Sequence, residues 1–226
     1  NKTTVESLRL PMIKNFELCI PPINEQIAIA NFLDEKCKKI SAMLSEMGQQ
    51  VDALQRHRRA LIVDRITNGI NQCVEVKSSE NRFYPTLPAH WQIKRLKYVF
   101  KIKKNIAGKE GYDVLAITQK GIKIKDITNN AGQLADDYSN YQLVSIGDFA
   151  MNHMDLLTGW VDISPFSGVT SPDYRVFNFI NNQNFCSEYY LYFMQMCYTE
   201  CIFYQLGQGV STLGRWRLTA DQFYNL

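Results

Sequence analysis

The sequence predicts an α+β protein in which a long coiled-coil-type helix is joined to a mixed, β-rich domain. Three observations support this fold class: a heptad repeat within residues 24–69, short alternating segments in the second half, and a polar, aperiodic stretch at 71–86 between them. Heptad and alternating patterns need different backbone periods, so the change between them marks a boundary. We therefore divide the chain into a leading segment (1–23), the helix (24–70), a linker (71–86) and the β-rich domain (87–226).

The composition is that of an ordinary globular protein. Of the 226 residues, 46% are hydrophobic and 21% charged, and 25 basic against 22 acidic residues give a net charge of +3. A surface for nucleic acid must therefore be local. No apolar run approaches the roughly 20 residues that span a bilayer, which predicts a cytoplasmic protein without a membrane partner. Six cysteines without a CxxC pair and only three histidines predict buried, reduced thiols and no metal site.

The leading segment alternates apolar residues and closes on Pro21 and Pro22, which predicts the tail of a preceding domain. Proline is excluded from helix interiors, so the helix should begin after this pair, with Asn24 as its N-cap and Glu25 in its first turn. The chain opens on Asn1 rather than on methionine, which predicts a fragment of a longer protein.

The helix carries a narrow apolar row on a polar surface and should end at Asn68 and Gly69. At 1.5 Å per residue it would be on the order of 65–70 Å long. An apolar seam of this kind predicts a partner helix; the alternative is a long helix packed on its own domain. The predicted partner-facing seam consists of Leu33, Ile40, Leu44, Met47, Val51, Leu54 and Leu61.

The second half reads as a mixed, β-rich domain with one helix at 187–204. Its aromatic residues Trp91, Phe100, Phe149 and Phe166 fit a core better than a stacking platform for bases. The predicted strands are 92–100, 114–118, 121–125, 141–144, 149–153, 160–163 and 174–180.

Several stretches together resemble the specificity subunit of type I restriction-modification systems. Residues 20–36 contain Pro21-Pro22, Glu25-Gln26 and Phe32-Leu33-Asp34, in the order found at the start of that family's conserved helix. The stretch 59–69 is similar to the usual end of that helix, and Leu87-Pro88-Ala89-His90-Trp91 is similar to the opening of a target-recognition domain. Residues 147–154 and 168–174 resemble signatures inside that domain.

The resemblance implies a subunit that reads double-stranded DNA and performs no catalysis. A complete subunit of this family has two target-recognition domains, each followed by a conserved helix, and the two helices pack antiparallel. The domain at 87–226 would read one half of a bipartite target. The helix would act as a spacer and as a docking surface for methyltransferase (modification) subunits and, through them, the restriction subunit. Because this chain shows one helix and one complete domain, we expect a homodimer formed through the long helix.

The motif content fits a non-enzymatic subunit without a cofactor. The sequence has no Asn-Pro-Pro-Tyr-like methyltransferase loop, no GxxxxGK[ST] phosphate loop and no GxSxG nucleophile elbow. His153 is expected to be structural. Cations suit phosphate, and amide, hydroxyl or guanidinium groups suit base edges. The predicted DNA-binding residues are Lys101, Lys103, Lys104, Thr118, Gln119, Lys120, Lys123, Lys125, Asn152, Ser167, Thr170, Ser171, Tyr174, Gln208, Ser211, Arg215 and Arg217.

Other interpretations of the same residues stay open. The lysines can be solvated loop residues, and the polar groups at 167–174 can shape a turn. The chain can be a coiled-coil assembly protein whose β-rich domain binds another protein, or an inactive fragment. The arrangement of the basic stretches 101–104, 120–125 and 215–217 separates these: one concave positive face favours DNA, and scattered cations favour a protein partner.

Overall fold

The computed structural model describes residues 13–71, 73–126, 137–209 and 216–226. It is a mixed α+β protein with a long helix in its N-terminal part and β-sheets after it, which confirms the predicted fold class at this level. The chain divides into two compact units, residues 1–56 and 57–226. Within the described ranges, no helix has the length and apolar content that crossing a bilayer requires.

The long helix, α1, covers Ile23–Asn68 and agrees with the predicted range 24–70 to within two residues. The carbonyl of Pro22 accepts the first hydrogen bonds, from the N–H groups of Glu25 at 2.9 Å and residue 26 at 3.0 Å. Asn24 therefore lies inside the first turn, and its prediction as N-cap is wrong. Pro22 takes the flanking position, where its lack of a backbone N–H removes no helical hydrogen bond. At the other end Gly69 has φ +78 and donates to Arg65 at 3.1 Å, which confirms the predicted stop.

The seam of α1 is exposed along its length. All side chains at 23–61 are exposed, and the exposed fraction of the seven predicted seam residues runs from 47% at Leu61 to 67% at Leu54. Burial starts only in the last turns, where Ile62, Val63 and Ile66 join the core of the second unit. The alternative of a helix packed on its own domain therefore applies to the last turns of α1 only.

The stretch 71–86, predicted as a linker, carries structure of its own. Strand β1 (Val76–Ser78) pairs antiparallel with β2 (Thr86–Pro88). The connection holds Phe83 and Tyr84, which pack against the core of the domain. The polar residues 77–82 thus form the end of β1 and the start of a hairpin connection, and the segment is part of the second unit.

The main sheet has four antiparallel strands, β3 (Phe100–Lys103), β7 (Phe149–Met151), β8 (Val161–Ile163) and β10 (Arg175–Phe179), in the order β3-β10-β7-β8. Its core face is aromatic. The ring centroids of Phe100 and Phe177 lie 5.0 Å apart, and those of Phe100 and Phe149 lie 5.3 Å apart, at edge-to-face angles that aromatic pairs favour. The prediction that Phe100 and Phe149 belong to the core is confirmed, whereas Phe166 is 37% exposed.

Two further strand pairs lie beside this sheet. Strand β4 (Leu115–Thr118) pairs with β5 (Gly121–Ile124), and β6 (Gln142–Val144) pairs with β9 (Gly168–Thr170). The sequence did not predict β9, because its Gly-Val-Thr lies in a stretch rich in turn residues. Of the predicted strand at 92–100, only the last residue, Phe100, lies in a strand. A 3-10 helix covers Leu96–Tyr98, and the N–H of Leu96 donates to the carbonyl of Leu226 at 2.9 Å, away from any ladder.

The helix predicted at 187–204 is broken in two. Helix α2 covers Ser187–Thr199, and α3 covers Ile202–Leu206. Between them Cys201 takes a left-handed conformation, φ 55, which ends the first helix. Only Cys197 is buried, so the prediction of buried thiols is wrong for the other five cysteines, which are free and exposed. A last short helix, α4 (Ala220–Asn225), begins with a capping box between Thr219 and residue 222.

Candidate nucleic-acid interface

The basic stretch at 101–104 divides between surface and interior. Lys101 and Lys104 are exposed, whereas the Nζ of Lys103 donates to both carboxylate oxygens of Asp148, at 2.7 and 3.0 Å. The side chain of Asp148 is only 6% exposed, and that of Lys103 is 21% exposed. Lys103 therefore neutralises a buried carboxylate, which contradicts its prediction as a free phosphate-binding cation.

The residues at 118–125 comprise the end of β4, a tight turn and strand β5. The hydroxyl of Thr118 donates to the carbonyl of Gly121 at 2.8 Å, and it accepts from the N–H of Lys120 at 3.1 Å. The amide of Gln119 donates to the carbonyl of Thr158 at 3.3 Å. The polar groups of Thr118 and Gln119 thus stabilise the turn, while Lys120 and Lys123 are exposed.

The segment 167–174 is held from inside the protein. Thr170 is fully buried, and its hydroxyl donates to the carbonyl of Leu115 at 3.2 Å, so its prediction as a DNA contact is wrong. The hydroxyl of Ser171 accepts from the N–H of Asp173 at 3.2 Å, which is turn chemistry. Ser167 is exposed.

Gln142, which the sequence did not single out, organises that same turn. Its side-chain amide is within hydrogen-bond distance of the carbonyls of Ser171 (3.1 Å), Pro172 (3.0 Å) and Tyr174 (2.6 Å). A buried amide that lies within hydrogen-bond distance of three carbonyls of one turn holds the turn in one conformation.

At 208–217, Gln208 and Arg217 pair through their backbones, each N–H donating to the other's carbonyl at 2.9 Å. A Cβ on Gly207 would lie 2.5 Å from the side chain of Leu156, and one on Gly209 would lie 2.9 Å from the indole of Trp216. These two glycines therefore allow the chain to pack closely against Leu156 and Trp216. Ser211 and Arg215 lie outside the described residues.

A cleft of about 620 Å³ collects cations from distant parts of the chain. Its walls include Lys103 and Lys104 from the end of β3, His153 after β7, Arg175 at the start of β10, and Arg217. A second cleft of about 400 Å³ adjoins it and shares Met154, Asp173 and Tyr174 with it. Seven predicted DNA-binding residues line one cleft or both: Lys103, Lys104, Lys125, Asn152, Ser171, Tyr174 and Arg217. Eight do not: Lys101, Thr118, Gln119, Lys120, Lys123, Ser167, Thr170 and Gln208.

The electrostatics of the larger cleft is positive. Burial, and after it the charges of Arg175, Arg217 and Lys104, together lower the pKa of His153 to about 3. Asp173, on the wall of both clefts, is exposed. His153 is therefore neutral at physiological pH, because burial disfavours its charged form and the cations around it oppose another positive charge.

Arg175 is the functional candidate that sequence reasoning missed. It is 5% exposed, its Nη2 donates to the carbonyl of Leu218 at 2.9 Å, and its guanidinium lies 5.1 Å from the ring centroid of Phe223. A signal was present in the sequence: within the predicted strand 174–180, alternation places Arg175 on the same face as Phe177 and Phe179. A cation on the apolar face of a strand needs a reason.

No known protein-family model matches the chain.

Proposed function

We propose that residues 87–226 form a DNA-recognition domain that reads one half of a bipartite target, as in the type I specificity subunits that the sequence resembles. The observation that carries this proposal is the pair of adjoining clefts, which gathers Lys104, Lys125 and Arg217 with amide and hydroxyl groups of Asn152 and Ser171. Such a mixture provides cations for phosphates and neutral polar groups for base edges. In this proposal the subunit is non-catalytic, and methyltransferase and restriction subunits supply the chemistry.

The helix α1 is proposed as the spacer and as the dimer contact. Its seam exposes seven apolar side chains on one narrow row, and a second copy of the same helix would cover them. A polar surface outside the seam, with Glu35 and Lys39 paired at 2.5 Å on the outer face, suits a helix that touches its partner along one stripe. The distance between the two DNA-reading domains would then depend on the helix pair.

The test of DNA reading is a binding selection with random duplexes. The library holds two short variable half-sites separated by gaps of different length, and binding is measured at about 0.15 M salt, where non-specific contacts weaken. We expect enrichment of paired half-sites at one preferred gap. Arg217→Gln should weaken binding and lower the slope of log K against log salt by about 1, whereas Arg95→Gln, an exposed cation outside both clefts, should leave both unchanged. A library without any enriched sequence would contradict the proposal.

The test of the helix contact is the mass in solution. We expect a particle of twice the 26.1 kDa chain mass by light scattering. Leu54→Asp, in the seam, should reduce the particle to a single chain, because it would bury a carboxylate between two helices. Gln55→Asp, at an adjacent exposed position, is the matched control and should stay dimeric. An unchanged mass in Leu54→Asp would show that the seam is not the contact.

The second candidate is an assembly protein whose β-rich domain binds another protein. The observation in its favour is that Lys101, Lys120 and Lys123 line neither cleft. This second candidate is favoured if the duplex library shows no enriched sequence while the helix-mediated dimer persists.

A further inference from the structure

The larger cleft contains a buried guanidinium whose hydrogen bonding is incomplete. Arg175 lines the cleft, and only 5% of its surface is exposed to solvent. Its Nη2 is bound to Leu218, but among the described protein groups its Nη1 has no hydrogen-bond partner. The Nδ1 of His153, on the same cleft, is likewise buried and without a partner. Buried polar atoms without partners are costly, so two of them lining one cleft indicate a place for a ligand.

The charges around the cleft favour an anion. Lys104 and Arg217 line it together with Arg175, while Lys103 is already neutralised by Asp148. Asp173 is the acidic residue on its wall. Three cations against one carboxylate leave an excess of positive charge. Burial lowers the pKa of Arg175 to about 10, so the guanidinium is still charged at neutral pH.

The chemistry of the donors indicates which kind of anion the cleft would bind. A guanidinium and a neutral imidazole N–H present directed donors to oxygen acceptors, and Lys104 and Arg217 add charge. A phosphate group has several acceptor oxygens and can bind all of these groups at once, whereas a metal cation would be repelled. The volume of about 620 Å³ leaves space for the atoms attached to the phosphate.

We propose that this cleft binds a phosphate group, with Arg175 and His153 as inner donors and Lys104 and Arg217 as the outer cations. The statement that this phosphate belongs to DNA rests on the proposed function, whereas the proposal of a phosphate site does not. A free phosphate is the other source with the same chemistry. In the DNA case the contact fixes the position of the backbone on the domain and carries no sequence information of its own.

The experiment uses the full chain with isotope-labelled histidine, observed by NMR at pH 7. The chain has three histidines, His57, His90 and His153, and the spectrum of His153→Gln assigns the signal of interest. Sodium phosphate is titrated at constant ionic strength against sodium chloride, and a duplex selected for binding is titrated separately. We expect the His153 signal to shift with saturation, while those of His57 and His90 stay in place.

Variants test whether the response comes from the cleft. Lys104→Gln and Arg217→Gln should each raise the dissociation constant for the phosphate-bearing ligand by about tenfold. Arg95→Gln should leave it unchanged. Arg175→Lys should also weaken binding, because an ammonium cannot both keep the bond to Leu218 and reach the phosphate. If Arg175→Lys fails to fold, the two outer variants still decide the question.

The outcomes separate this proposal from that of DNA recognition. A His153 response to the duplex, with or without one to free phosphate, supports the cleft and assigns DNA as the source. A response to free phosphate alone supports the cleft with a free phosphate as its ligand. Duplex binding in a shift assay with an unmoved His153 signal overturns the phosphate cleft and leaves DNA recognition standing. No response to either ligand, an equal response to chloride, or an unchanged affinity in Arg217→Gln also overturns it.

Discussion

Replacing Lys103 with methionine removes the cation that neutralises Asp148, one of the few buried acids of the β-rich domain. The carboxylate side chain is 6% exposed, and besides Lys103 it accepts the N–H of Ser145 at 2.9 Å. The backbone of Asp148 also donates to Ser145 at 3.1 Å and accepts from Ser164 at 2.8 Å, which ties the turn before β7 to the sheet. The substitution keeps most of the side-chain volume and therefore tests the charge rather than the packing.

The expected loss follows from the burial of the pair. Removing one partner of a fully buried ion pair costs about 3–5 kcal/mol, and the 21% exposure of Lys103 reduces this to about 2–3 kcal/mol because water can reach the pair. With a urea m-value of about 2 kcal/mol/M, the unfolding midpoint should fall by about 1–1.5 M. Tryptophan fluorescence reports the transition, because Trp91, Trp160 and Trp216 all belong to residues 57–226.

Lys101→Met is the matched control. Lys101 lies two positions earlier in the same strand and is exposed, so its replacement should change the free energy of unfolding by no more than about 0.5 kcal/mol. Equal midpoints for the two variants would refute the reasoning. A normal midpoint in Lys103→Met together with lost DNA affinity would restore Lys103 as a phosphate contact, as the sequence predicts.

Substitutions at Gly69, Arg59 and His153 test other parts of the second unit by urea unfolding, and one at Gly48, in the first unit, serves as a comparison. Gly69→Ala should destabilise the protein by about 1–2 kcal/mol, because φ is +78 and the new Cβ would lie 3.2 Å from the indole of Trp91. Gly48→Ala, at a helix position with no atom near the new Cβ, should stabilise the protein by up to about 1 kcal/mol. Arg59→Ala should cost no more than about 1 kcal/mol, since its bond to Glu200 at 2.6 Å joins side chains that are 54% and 31% exposed; a larger loss would mean that the pair is better shielded than its exposure indicates. In the folded chain the pKa of His153 lies at about 3, below the value of about 6.5 in an unfolded chain, so the unfolded state binds more protons between these values. The wild type should therefore lose stability relative to His153→Gln as pH falls from about 6.5 towards 3, and a constant difference between pH 7 and pH 4.5 would contradict this.

The sequence predicts the local elements well because their signals are local. The heptad row and the Asn68-Gly69 stop define α1 within two residues, and alternation locates β4, β5, β7 and β10. The failures have non-local causes. Strand β9 exists because Val169 pairs with Leu143 and is buried under the β4 region, and the 3-10 helix at Leu96–Tyr98 is held by the carbonyl of Leu226.

The candidate site was predicted as three basic loops, and the structure selects from them by burial. Lys103 and Thr170 have the residue types of a DNA contact, but each is bound inside the protein. The cleft joins residues more than a hundred positions apart, from Lys104 to Arg217, and no spacing rule relates them. Alternation in the predicted strand marks its buried member, Arg175, as unusual, but the cleft and the unpaired Nη1 are visible only in the structure.

The surroundings of the cations imply different contributions to binding. At physiological salt the Debye length is about 8 Å, so exposed lysines such as Lys120 and Lys123 act as screened, mobile charges. In DNA binding they would add affinity that falls with salt and depends little on where the backbone lies. Arg175 is different, because Leu218 and Phe223 fix its orientation and burial shields it from counterions. A phosphate bound there would have one position. Because Gln142 holds the adjacent turn, the polar groups of the neighbouring cleft would then contact the bases at one fixed position along the DNA. On this argument affinity and positioning are separable: substitutions at Lys120 should change the salt dependence alone, whereas substitutions in the cleft should change the preferred gap as well.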